Sequence, residues 1–282
     1  DGKIKEIVDK IFSMSTADET EVYVGSHRSS LTRFAENHIH QNVAEYNNYL
    51  SITAIFGKQM GDASTNKLDD ESIKRTLENA IEIAKISPPD EELLPRLGPQ
   101  EYQQVQSYDP EIDSITPMER AEAVSEVVRS CEKNGLKSAG LFSDGSGCET
   151  YANSKGLFAF HKSSNINFSV SAMAEDSSGW ADRSFHKKSW IDPKALGDIA
   201  IEKAIRSRNP KDVPPGSYTV ILEPDAVSEL IGFMLDGFNA LAVDEGRSFL
   251  CGKVGQKIAQ DNINLASDPY HPLHQGRPYD GD

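Results

Sequence analysis

The chain has 282 residues, with 29 Lys and Arg against 44 Asp and Glu, a formal net charge of −15. Its 38% apolar and 26% charged residues are those of a folded globular chain, long enough for about two domains. The acidic balance argues against duplex nucleic acid or an anionic membrane surface as a direct partner, since both need a basic stripe; no run approaches the ~18 apolar residues of a membrane span.

In chain order, Ile4, Ile7, Val8, Ile11 and Phe12 recur at helical spacing and predict a short amphipathic helix. Residues 21–24, 30–34, 39–46 and 49–56 read as strands, with Asn47-Asn48 as the turn between the last two. Asp69-Asp70 caps a second helix with the apolar stripe Ile73, Leu77, Ala80, Ile81 and Ala84. The proline- and glutamate-rich stretch 87–116 reads as a linker.

The same plan then returns. A helix through Ala121, Val124, Val128 and Cys131 is followed by strands near 139–143, 150–153, 157–162 and 167–174, and by a helix at Pro193–Arg206. Gly145-Ser146-Gly147 reads as a hairpin turn. Phe34-Ala35-Glu36-Asn37 is similar to Tyr151-Ala152-Asn153, and Ser51-Ile52-Thr53-Ala54-Ile55 to Ser169-Val170-Ser171-Ala172-Met173, about 118 residues apart. The fold class expected is α+β: two duplicated units of helix, antiparallel sheet and helix, followed by the start of a third, β-rich region. The corresponding domains are 1–86, a linker 87–116, 117–213 and 214–282. In the third, residues 217–222 read as a strand, and Pro224-Asp225 opens a helix with the stripe Val227, Leu230, Ile231, Met234 and Leu235. One strand and one helix cannot bury a core alone, so this region is expected either to dock on the first two or to lack its C-terminal half.

Few residues advertise chemistry. Cys131, Cys148 and Cys251 stand far apart with no CxxC, as in reduced thiols of a cytoplasmic protein, and Asp1-Gly2-Lys3 opens no signal peptide. His38 and His40 share one face of a strand, and His271 and His274 form an HxxH near Asp268 and Asp280; either pair is a metal candidate or a solvated polar surface. His27, His161 and His186 have no recognisable partner, and no GxGxxG, Walker loop or zinc-finger spacing occurs.

One series of motifs goes further. Glu223-Pro224-Asp225, Ser228-Glu229-Leu230-Ile231-Gly232-Phe233 and the stretch from Val243-Asp244-Glu245-Gly246-Arg247 to Gly252-Lys253-Val254-Gly255 resemble the third region of the TldD/PmbA family. Arg33-Phe34-Ala35-Glu36-Asn37 and Gly61-Asp62-Ala63-Ser64-Thr65 are similar to its first region. Asn153-Ser154-Lys155-Gly156 and Pro215-Gly216-Ser217-Tyr218-Thr219-Val220 are similar to its middle one. The resemblance covers essentially the whole chain. It implies an α+β fold and, in the TldD-type subunit, a zinc peptidase whose HExxxH helix carries two His ligands around a water-activating Glu. Carried onto this sequence, Ser228 takes the first His position, Glu229 the Glu position and Phe233 the second His position. Neither Ser nor Phe replaces imidazole on zinc. The expectation is therefore a PmbA (TldE)-like chain with no metal, cofactor or catalytic residue of its own, zinc residing in a TldD-type partner, and Glu229 matching the family's Glu position. The resemblance further implies a dimer, with a TldD-type subunit or a second copy, acting in the cytoplasm on unfolded or small modified peptides held as an added strand. The family's older label, modulator of DNA gyrase, implies a genetic connection, and the acidic charge lends no support to DNA contact. Two alternatives stay open: an active metal-dependent peptidase using His271 and His274 with Glu229, and a non-enzymatic peptide-binding module.

Overall fold

A computed structural model of the chain describes residues 2–279. It divides into two compact units, residues 2–210 with 268–279, and residues 211–267.

The larger unit is built on one six-stranded antiparallel sheet in the order β3-β2-β1-β4-β5-β6. The strands are β1 (Glu19–Ala35), β2 (His38–Phe56), β3 (Gln59–Thr65), β4 (Lys137–Asn153), β5 (Phe158–Met173) and β6 (Ser178–Phe185). Each repeat contributes three, and β1 joins β4 at the centre from Glu21 opposite Asn153 to Phe34 opposite Gly140. Helices α1 (Gly2–Met14) and α2 (Asp70–Ile86) belong to the first repeat. The short α3 (Pro110–Asp113), α4 (Pro117–Lys133) and α5 (Pro193–Arg206) belong to the second. Asp69 caps α2 by accepting from the Ser72 amide at 3.0 Å, the device expected from Asp69-Asp70.

The strands are longer than the sequence pattern suggests, and three expectations change. Asn47-Asn48 is not a turn: both residues lie inside β2, opposite His27 and Ser26. The hairpin turns instead at Glu36 and Asn37, with φ of 49° and 62°, the left-handed pair that a two-residue turn of this hand requires. Gly145-Ser146-Gly147 is likewise mid-strand in β4, flanked on both sides by β1 and β5. A Cβ at Gly147 would meet the Ser26 carbonyl at 2.6 Å, so glycine there serves close strand approach and not a bend. β3 and β6, too short and polar to stand out by alternation, form the two edges.

Alternate residues of the strands face the helices, and two apolar clusters result. One gathers Val8, Ile11, Val22, Val24, Ile52, Leu77 and Ala80; the other gathers Phe34, Val124, Phe142, Phe168, Val170 and Leu196. Along β1, between Val24 and Phe34, lies a polar seam. Both oxygens of the fully buried Asp144 carboxylate are held, one by Arg120 Nη1 at 2.6 Å and one by Arg28 Nη2 at 2.8 Å. Arg120 also donates to Thr32 and Asn42, each at 3.2 Å, and Arg28 to the Ile112 carbonyl at 3.1 Å.

The duplication is legible atom by atom. Gly61 of β3 and Gly179 of β6 let α2 and α5 press their backbones onto the edge strands: a Cβ would stand 2.2 Å from the Ala84 nitrogen in the first case and 2.1 Å from the Ala200 oxygen in the second. Asn37 and Asn153 both buttress strand ends, Asn37 by accepting from the Ser138 amide at 2.6 Å and Asn153 from the Lys155 amide at 2.9 Å.

The smaller unit contains α6 (Pro224–Leu235), a single 3-10 turn at Asp236–Phe238, and α7 (Ala240–Asp244). The strand expected at 217–222 does not form, because no described residue of this unit offers it a ladder. The α6 stripe is also not buried: Val227, Leu230, Met234 and Leu235 are all exposed, with Leu222. Phe238 stacks edge-on against Phe249 at 5.9 Å, and only Ala242 is buried. A unit with so little apolar surface sequestered has no core of its own.

Candidate functional site

Ser228, Glu229 and Phe233, the positions that the family resemblance singles out, all lie on α6. Ser228 and Glu229 are exposed and Phe233 is 83% exposed. A hydroxyl, a carboxylate and a phenyl ring do not make a donor set for zinc. His38 and His40 stand exposed on β2, His38 Nδ1 lying 2.5 Å from the Glu36 carbonyl. His271 accepts from the Leu273 amide at 3.3 Å, and both it and His274 are exposed, whereas Asp280 lies outside the described residues. Among the described residues, no group of three or more His, Cys, Asp or Glu is placed to hold a metal ion, and no helix is long and apolar enough to cross a membrane. Of the cysteines, Cys131 is buried, which pushes its thiol up to about 11 and leaves it inert; Cys148 sits 3.5 Å from Ser26 Oγ, and Cys251 donates to the Val243 carbonyl at 3.3 Å.

What the fold does bring together lies on the sheet face away from the helices, and motif reading did not find it. β1 and β4 each carry Glu-x-Tyr, as Glu21-Val22-Tyr23 and Glu149-Thr150-Tyr151. Antiparallel pairing sets Tyr23 opposite Tyr151, so each tyrosine reaches diagonally to the other strand's glutamate. Tyr23 donates to Glu149 Oε2 at 2.6 Å, and Tyr151 donates to Glu21 Oε1 at 2.5 Å. Tyr49 lies over Gly25 and donates to the Tyr23 oxygen at 3.5 Å, its ring centroid 5.0 Å from that of Tyr23. Burial pushes Tyr23 and Tyr49 up, so both stay protonated donors.

Two irregular segments cover this array. The stretch 87–109 is a strap: Arg96 Nε stands 2.9 Å from Glu21, the Leu97 carbonyl accepts from Asn153 at 2.9 Å, and the Ser107 carbonyl accepts from the Ser164 amide at 2.9 Å. The segment 268–279 supplies Arg277, 3.7 Å from Glu149, and Tyr279, which donates to the Ala159 carbonyl at 3.3 Å. Beneath them run a pocket of about 290 Å³ walled by Glu21, Leu97, Tyr102, Tyr151 and Tyr279, and a cleft of about 690 Å³ between the strap and the start of β5.

A third cavity, of about 310 Å³, lies where β5, the end of β6, the strap and residues 274–277 meet. His161 and His186, which showed no partner in the sequence, both line it and are both nearly fully buried. Ser107 Oγ donates to the Lys162 carbonyl at 3.0 Å, so its 3.4 Å contact with His161 Nε2 is one in which the imidazole donates and keeps a lone pair on Nδ1. Burial lowers the pKa of both imidazoles, which are therefore neutral at pH 7.

Three models of the PmbA/TldA metallopeptidase family match the chain: domain 1 at residues 20–84, the central domain at 107–208 and the C-terminal domain at 215–282. The chain is 24% identical over 235 residues to a metalloprotease PmbA homolog of Haemophilus influenzae, and 23% identical over 237 residues to the metalloprotease PmbA of Escherichia coli O157:H7. Both matches cover 78% of this chain and 51% of the relative, so the chain spans about half the length of these curated relatives. In fold it is similar to a candidate modulator of a DNA gyrase from Thermotoga maritima, with a TM-score of 0.87 at 20% identity, covering 96% of this chain and 64% of that one. It is also similar to TldE from Thermococcus kodakarensis, with a TM-score of 0.79 at 20% identity, covering 98% and 63%.

Proposed function

The chain belongs to the PmbA/TldA metallopeptidase family, and from that premise we propose that it is the zinc-free, catalytically silent member of a two-subunit cytoplasmic peptidase. A TldD-type subunit supplies the zinc and the water-activating glutamate. This chain completes the enclosure in which unfolded or small modified peptides are held and cut. The observation that carries the reading is the pair Ser228 and Phe233 at the two ligand positions of the family helix. Without a metal beside it, Glu229 has no bound water to deprotonate, and on an exposed helix face it is an ordinary solvated carboxylate.

The sheet supports the binding half of this reading. β3 pairs with β2 only from Leu50 to Phe56, so the outer edge of residues 38–49 has no strand partner among the described residues. That stretch has no proline and a single formal charge, Glu45, and so lacks the usual devices that blunt an edge. An extended peptide can add there through main-chain hydrogen bonds. The gyrase-related label is not extended to DNA contact, which the net charge of −15 opposes.

The reading is tested with Glu229→Gln in the complex with a TldD-type subunit, assayed on an unfolded polypeptide. Cleavage is expected within twofold of the unsubstituted complex, and this chain alone is expected to cleave nothing. A loss of the ~10²-fold or more expected for a missing general base would place catalysis on this chain.

A further inference from the structure

We infer that the cavity lined by His161, His186, Ser107, Glu149 and Arg277 is a binding site for a single carboxylate group, which Arg277 meets with its guanidinium and His186 with its imidazole. The inference rests on the peptide-handling part of the reading above and not on its assignment of zinc.

Three features carry it. The first is a buried imidazole in the cavity wall. His186 is 5% exposed and its Nδ1 is sealed from solvent with no partner, which leaves Nε2 as the nitrogen with which the ring can meet a ligand. The ring packs edge-on against Trp190 at 5.2 Å, which sets its orientation in the cavity wall. The second is a cation with donors to spare. Arg277 stands 3.7 Å from Glu149, beyond good hydrogen-bond length, while Glu149 is already bonded by Tyr23 at 2.6 Å. The guanidinium fork therefore has N–H groups left for a planar acceptor, the geometry a carboxylate matches.

The third is charge. The buried imidazoles of His161 and His186 are neutral and His274, which also lines the cavity, is exposed, so the permanent charges of the lining are those of Arg277 and Glu149. A dianion such as phosphate would face Glu149 with no second positive charge to balance it, whereas a monoanionic carboxylate can share Arg277 with Glu149. A volume of about 310 Å³ suits one or two terminal residues of a chain and no more. His161 adds a lone pair on Nδ1 for the amide N–H that precedes such a terminus.

The carboxylate has two sources, a peptide carboxy-terminus or a free small acid, and three probes separate them: N-acetyl-trialanine with a free carboxyl, the same peptide as its carboxamide, and acetate. Binding to the full chain without a partner subunit is followed by calorimetry and by the His186 ring resonances. The free-acid peptide is expected to bind at least tenfold more tightly than the carboxamide and to shift the His186 signals. Arg277→Gln and His186→Phe are each expected to weaken it at least tenfold. Acetate binding as tightly as the peptide would assign the same site to a free acid. Equal affinity for acid and carboxamide, or an unmoved His186 signal at saturation, would overturn the inference even if either variant proved too unstable to use. Zinc content is untouched by this experiment, so its failure and failure of the silent-subunit reading are told apart.

Discussion

Replacing Arg120 by methionine is expected to lower the unfolding free energy of the larger unit by about 3 kcal/mol, the low end of the range for breaking a buried ion pair from one side. Arg120 is 1% exposed and Asp144 is fully buried, so the carboxylate left behind cannot recruit water. The low end applies because Arg28 keeps its 2.8 Å hold on the other carboxylate oxygen. Methionine preserves most of the buried stem, which separates lost charge pairing from a simple cavity. Burial already sets the Asp144 carboxyl above the ordinary aspartate range against the pull of the two guanidiniums. Removing one guanidinium raises it further, so the penalty is largest near neutral pH and shrinks as acidification protonates the folded-state carboxyl. The double variant Arg120→Met with Asp144→Leu is expected to recover part of the loss, since the charge it frees, Arg28, is partly exposed, stands 3.7 Å from Asp113 and still donates to the Ile112 carbonyl. Urea unfolding of the three proteins at pH 7 and pH 5 checks this. A single-variant loss below about 1 kcal/mol at pH 7 would mean the seam is solvated and not sealed.

Gly179→Val and Gly61→Val are each expected to cost about 1–3 kcal/mol, toward the top of that range, and to add in the double variant. At Gly179 the new Cβ would lie 2.1 Å from the Ala200 oxygen and 2.6 Å from the Ala204 nitrogen; at Gly61 it would lie 2.2 Å from the Ala84 nitrogen and 2.5 Å from the Ala80 oxygen. The obstructing atoms are helix backbone, which cannot rotate away as a side chain can. Additivity follows because β3 and β6 are the opposite edges of the sheet, about 24 Å apart at ~4.8 Å per strand. Gly98→Ala, whose Cβ meets nothing within 4 Å, is the control and should leave the melting temperature unchanged. Thermal melts of the four variants beside the unsubstituted protein decide it. A tolerated valine at either position would show that the helix is not seated on the strand there.

Much of the fold was legible because periodicity and capping are local. The Asp69 cap, the stripe of α2 and the bounds of α5 follow from a few neighbouring residues each. The repeat was legible because both copies solve one packing problem: Ile52 and Ala54, like Val170 and Ala172, are wholly buried beneath a helix. Strand length was not. A polar dipeptide such as Asn47-Asn48 looks like a turn until pairing partners exist on the neighbouring strand, and Gly145-Ser146-Gly147 looks flexible until two strands press on it. The strand expected at 217–222 failed for the converse reason: alternation cannot form a ladder alone.

The open-face array escaped because its members are far apart in sequence and ordinary one by one. The signal was present in the repeated Glu-x-Tyr of residues 21–23 and 149–151, but only the β1–β4 register turns two copies into crossed tyrosine–glutamate pairs. His161 and His186 have nothing in their own neighbourhoods to mark them. The strap and residues 274–277, which enclose them, join them only in three dimensions. The helix α6 is the opposite case: Ser228, Glu229 and Phe233 are informative in sequence, through the positions that the family resemblance assigns them, while their exposed side chains say little by geometry.

The silent-subunit account stands on those two replacements, and the most direct measurement is zinc content by elemental analysis on protein purified without chelator, alone and with a TldD-type subunit. The account predicts no stoichiometric zinc in this chain alone and one zinc per pair in the complex. One zinc per chain in the lone protein would contradict it.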